Sequence, residues 1–171
     1  MVRSVFLLIC ILSVVIFSFS AQAQENGLDK SVGIGLQGAT PEFGGISVRY
    51  NGLAPVYLQT VGRFILTDQD EDHMLGAGVS YAIFEHRSSW TIGRLYFNLE
   101  GAWRYRKERE LPQTTTLGAG IAFGGELIFP FGGIPIGLNV EVGQGFGREE
   151  TNAESNGLAG VYIGSGIHAY F

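Results

Sequence analysis

Cysteine occurs once in the 171 residues. That residue, Cys10, falls within a segment expected to be removed, so the mature chain can form neither a disulfide nor a thiolate metal site. Cys10 also comes too early, directly after Leu7-Leu8-Ile9, to be a lipoprotein cysteine. Proline is scarce, with 5 residues, and an excess of positive charge is missing, since 11 basic residues stand against 16 acidic ones. A basic nucleic-acid surface is therefore excluded, and no nucleic-acid partner is expected. Beyond the leader, no apolar run approaches the roughly 20 residues that a transmembrane helix needs. No apolar period of 3.6 is sustained either.

What is present begins with Met1-Val2-Arg3, an apolar run from Val5 to Phe19, and then Ser20-Ala21-Gln22-Ala23. A short apolar core ending in small residues reads as a secretory signal cleaved after Ala23. Residues 1–23 are thus expected to be a leader. Residues 24–171 form a single domain, too short for two, with a net charge near −6 once Arg3 is lost. The 26 glycines are spread through alternating apolar segments and form no linker.

Period two recurs along this domain and predicts eight strands. Val32, Ile34 and Leu36 share one face of the first; Ile46, Val48 and Tyr50 share a face of the second, opposite Ser47 and Arg49. Val56, Leu58, Thr60, Gly62 and Phe64 oppose Tyr57, Gln59, Val61 and Arg63 in the third. Leu75 to Ile83 oppose Gly76, Gly78, Ser80 and Ala82 in the fourth. The fifth sets Leu95, Phe97, Leu99, Trp103 and Tyr105 against Arg94, Tyr96, Asn98, Glu100, Arg104 and Arg106. The sixth sets Leu117, Ile121, Phe123 and Leu127 against Gly118, Gly120, Gly124 and Glu126. Ile134 to Val142 oppose Asn139 and Glu141 in the seventh, with Pro135 tolerated at a strand end, and Val161 to Phe171 form the eighth.

The connections fall into two classes. Asn51 to Pro55 and Pro130 to Gly133 are short, whereas Gly38 to Gly44, Thr67 to His73, Lys107 to Thr115 and Gly147 to Asn156 are longer and polar. Glu85 to Gly93 breaks this alternation, and a bulge near Gly93 is expected there. Aromatic residues gather near strand ends, with Tyr50, Phe84, Trp90, Phe129, Phe131 and Phe171 at one rim and Phe43, Phe64, Trp103, Tyr105 and Phe146 at the other. Such rings favour the level at which hydrocarbon meets headgroups.

The last strand, Val161-Tyr162-Ile163-Gly164-Ser165-Gly166-Ile167-His168-Ala169-Tyr170-Phe171, resembles the C-terminal signature of bacterial outer-membrane barrels. It has apolar alternate positions and a final Phe, although Ala169 stands where an aromatic is often found. The mature length is similar to the small eight-stranded class typified by the OmpA membrane domain and OmpX. The resemblance implies an all-β, closed antiparallel up-and-down transmembrane β-barrel in the bacterial outer membrane. It also implies contact with outer-membrane lipid, and Phe171 as part of the signal read by the barrel-assembly machinery.

An eight-stranded barrel is just wide enough for its inward side chains to fill it. By parity Arg49, Arg63, Glu100, Arg104, Glu126 and Glu141 point inward, and buried charges must be paired. The three arginines are expected to balance the three glutamates without a ligand. Asp68, Asp70 and Asp72 have the D-x-D-x-D spacing that opens a calcium loop. Position six is His73 instead of Gly and position twelve is Val79 instead of Glu, which leaves at most weak divalent binding in a solvated acidic loop. His73, His86 and His168 have no partners for a triad or a metal site. His86-Arg87-Ser88 has the His-x-Ser look of an outer-membrane lipid A deacylase family, but it falls on the periplasmic side and no acid follows at a matching spacing. The expectation is a non-enzymatic barrel without a cofactor, structural or contacting partners through its long polar loops, the loop ligand being unknown. A narrow passive pore and a lipid-modifying enzyme are the rivals.

Overall fold

The computed structural model describes residues 31–39, 43–67, 70–109, 112–130, 133–151 and 154–171. The expected leader, Asp68 and Phe131 lie outside these residues. Strands that are polar on one face and apolar on the other can enclose the polar face by closing the sheet on itself. Here eight of them do so: β1 (Val32–Ala39), β2 (Phe43–Leu53), β3 (Val56–Leu66), β4 (Asp70–Arg87), β5 (Ile92–Glu108), β6 (Thr114–Phe129), β7 (Ile136–Thr151) and β8 (Ser155–Tyr170). Each pairs antiparallel with its neighbour in sequence, and β1 pairs with β8 to close an up-and-down barrel. Main-chain bonds finish the closure, from Phe171 N to Val32 O at 2.7 Å and from Val32 N to Phe171 O at 3.2 Å.

The alternation sends the apolar residues outward. Leu36, Ile46, Leu99, Ile121, Val140 and Ile163 are exposed on the outer wall, whereas Gln37, Arg49, Arg94, Asn98, Glu126, Asn139, Glu141 and His168 are buried inside. Soluble domains distribute these residue types the other way round. The rim aromatics Phe64, Phe84, Trp90, Trp103, Phe146 and Phe171 are exposed as expected.

Tyr50 is not. It is buried, and its hydroxyl lies where a Cβ on Gly52 would sit, close to the register shift between Tyr50 and Leu53. The absence of a side chain at Gly52 lets the ring fold over the strand instead of standing at the rim. The bulge expected near Gly93 lies instead on the partner strand, between Ala82 and Phe84, and Glu85 to Arg87 belong to β4. The shift turns Glu85 to face Arg94.

The long polar connections also proved to be strand. Asp70 pairs with Glu108, Asp72 with Arg106, Thr114 with Thr151 and Glu150 with Ser155, leaving only residues 40–42, 67–69, 109–113 and 152–154 between strands at that upper end. Polarity had suggested loops, but polar side chains do not end a ladder. Pro41 and Pro112 fall at positions between the strands, so the paired positions all keep their backbone donors and the ladders continue. The barrel is therefore taller on one side, since β4 to β8 rise past the short β1 and β2. Pairing of β8 with β1 stops at Gly164, so the inward-facing Leu158 is 41% exposed.

Candidate functional site

The lumen holds the polar chemistry of the chain, in three tiers. The lowest centres on Glu126 of β6, placed inward by the period of two. Its carboxylate accepts Arg49 Nη1 from β2 at 2.8 Å, Arg94 Nη1 from β5 at 3.2 Å and the Tyr170 hydroxyl from β8. Arg49 also donates from Nε and Nη2 to Gln59 Oε1, at 2.9 and 2.5 Å. Arg94 reaches Glu85 Oε2 at 3.0 Å, with its guanidinium 3.8 Å from the centre of the Tyr57 ring. Each guanidinium thus has an acid, as buried cations require.

The middle tier centres on Glu141 of β7. It accepts Tyr96 OH at 2.7 Å, Tyr162 OH at 2.9 Å, and the amides of Asn98 and Asn139, each at 3.4 Å. The same Asn98 amide donates to Glu100 Oε2 at 3.1 Å. Hydroxyl and amide donors spread the charge of Glu141, yet no ion pair reaches Glu100 or Glu141 among the described residues. In the top tier Asp72 accepts Arg63 Nη2 at 2.8 Å and Arg104 Nε and Nη2, both at 3.0 Å.

Of the six charges expected to form one network, the structure joins Arg49 to Glu126 and places Arg63 and Arg104 about Asp72. The expected balance of three arginines against three glutamates does not form. Asp72 lies nearer the two upper arginines, and Arg94 takes up Glu126, so Glu100 and Glu141 are left without a cation. Sequence reasoning named neither Arg94, Glu85 nor the four tyrosines Tyr57, Tyr96, Tyr162 and Tyr170 as members. Parity had put five of them on inward faces and so could have flagged them; Glu85 was hidden by the bulge.

Asp70 and Asp72 lie on a strand, with Asp72 taken by two guanidiniums, and no group of three metal-binding side chains occurs among the described residues. His86 is exposed and stacks near Phe84, while the Ser88 hydroxyl donates to Thr91 O at 3.2 Å within a turn. Phe171 is exposed at the lower rim, and its main chain bonds to Val32.

The inward glycines serve two purposes. In the lower half they are slots for rings. A Cβ on Gly124 would lie 2.6 Å from Tyr96, and one on Gly33 would lie 2.6 Å from Tyr170. In the upper half those of β6 and β8 face space, for a Cβ on Gly118 would meet nothing nearer than 3.5 Å and one on Gly160 nothing within 4 Å. Gly124→Ala is accordingly expected to lose about 1–3 kcal/mol through overpacking against an anchored ring. Gly118→Ala should stay close to wild type. Urea titrations of both variants would check this, and equal stabilities would refute the slot.

The upper space forms a chamber of about 280 Å³ between β5, β6, β7 and β8. A smaller one of about 40 Å³ lies toward β1 and β3. Glu100 and Tyr162 border both. No protein-family model matches this chain, and no curated protein sequence matches it.

Proposed function

We propose that this chain is a bacterial outer-membrane β-barrel with a lumen closed in its lower half. In this reading it works as a structural and surface-contact protein, without catalysis or a cofactor. The apolar outer wall supports the membrane reading, because exposed Leu, Ile, Val and Phe on every strand are compatible with hydrocarbon and costly in water. Strands of 16 to 18 residues in β4 to β8 exceed the roughly 9–11 needed to cross. Their polar upper ends would then stand above the bilayer as a crown of paired hairpins. That crown replaces the long loops as the contact surface. Phe171 would serve the assembly machinery, and residues 1–23 the export step.

The observation that carries the closed reading is the Glu126 cluster, in which side chains from β2, β5 and β8 meet one carboxylate of β6. An eight-stranded lumen has no room for a water path beside such a junction. Refolded protein in a planar bilayer should therefore show no conductance steps, whereas Arg49→Ala combined with Tyr170→Ala should produce them. Regular steps from the wild type would favour a narrow pore and overturn the closed lumen.

A further inference from the structure

We propose that the upper chamber is a binding site for a small ligand with a positively charged amine on an apolar, ring-sized body, the amine seated on Glu100. The inference rests on the closed-lumen reading, since a chamber with a floor can retain a ligand that a channel would pass.

Three observations lead to it. The first is charge. Glu100 and Glu141 share the Asn98 amide, and no basic side chain pairs with either among the described residues. Three other inward acids, Glu85, Glu126 and Asp72, each have an arginine. Glu141 is fully buried and satisfied by four donors. Glu100, by contrast, borders both chambers with its charge uncompensated. A carboxylate held away from bulk water favours a cation, and a charge-assisted bond to an ammonium is the strong form of that contact.

The second observation is the wall. Above Glu100 the chamber is lined mainly by carbon, from Ala102, Gly118, Gly120, Gly145, Gly160 and Leu158, with the Thr116 hydroxyl the one polar side-chain group of that upper wall. An inorganic ion would leave that volume unused. An apolar cavity of about 150 Å³ takes a benzene ring, so about 280 Å³ has space for a ring with a short aminoalkyl arm. The third is Gln37, which borders the smaller chamber and is 6% exposed, with its Nε2 lacking a partner. A hydroxyl or carbonyl next to the amine would supply the missing acceptor. Access is open from above and beside Leu158, where β8 has outrun β1.

The probe is 2-phenylethylamine, with 2-phenylethanol as its uncharged counterpart. Each is titrated into the full barrel in bicelles while the amide resonances of Gly118, Gly120, Gly145 and Gly160 are followed. Saturable shifts with the amine are expected, together with binding about tenfold or more weaker for the alcohol. Glu100→Gln should remove that preference and leave the alcohol's affinity unchanged. Gly145→Leu, which fills the chamber from a position whose nearest neighbour is 3.9 Å away, should abolish both. Equal binding of amine and alcohol would refute the role of Glu100. Shifts that rise linearly and equally at the outer residues Ile121 and Val161 would mean partitioning into lipid and would refute the site. Conductance recorded on the same preparation keeps the two proposals apart: a silent barrel that binds neither probe refutes the ligand site alone.

Discussion

Glu126→Ala is expected to cost about 3–5 kcal/mol of stability, the usual loss when one partner of a buried ionic cluster is removed. Glu126 has the largest number of strands depending on it. Without it Arg49 keeps only Gln59, Arg94 keeps Glu85 and the Tyr57 ring, and the Tyr170 hydroxyl loses its acceptor. The penalty arises from stranded positive charge more than from lost attraction, so Arg94→Ala in the same chain should return part of it. A double-mutant cycle by urea titration in vesicles measures that coupling. A single-mutant loss below about 1 kcal/mol would mean that water reaches the lower tier.

Leu99→Arg and Ile121→Arg carry the second large effect. The two residues are cross-strand partners on the outer wall, 58% and 56% exposed, midway along β5 and β6. If hydrocarbon surrounds the barrel, arginine at that depth costs about 2–4 kcal/mol and less toward the interface. Leu117→Arg, nearer the upper end of β6, should therefore cost less than Ile121→Arg. Equilibrium unfolding from vesicles gives the comparison. A barrel that lives in water would gain solubility and lose nothing from all three changes, which would refute the membrane reading.

Strand identity and facing were legible because both depend on a local period. Ile121 and Glu126 are assigned to opposite faces by counting alone, and ring closure follows once eight such strands must hide their polar side. Pairing was not legible. Arg49 meets Glu126 across 77 positions, at a height determined by the stagger of every intervening strand. A single bulge such as that between Ala82 and Phe84 changes which charges share a level. The same limit explains why Arg104, expected among the three arginines that balance Glu100, Glu126 and Glu141, instead turns up to Asp72. Aromatic residues misled in another way. Tyr50 was read as a rim anchor and is buried, while Tyr96 and Tyr170, at inward parity opposite glycines, act as hydroxyl donors to buried acids, a role that parity does not reveal. Strand ends were obscured because runs such as Arg148-Glu149-Glu150 look like loop but lie in a paired ladder.

The shortness of β1 has a mechanical consequence. With eight residues it is the shortest stave of the barrel, and its ladder with β8 is a short seam along which the cylinder can unzip under lateral load. The two strands flanking it are β2 and β8, and these send Arg49 and Tyr170 across the lumen to the same carboxylate on the far wall. Glu126 thereby acts as a hub with spokes to both sides of the seam. Opening the cylinder there must stretch or break a spoke, so this short joint is braced from within.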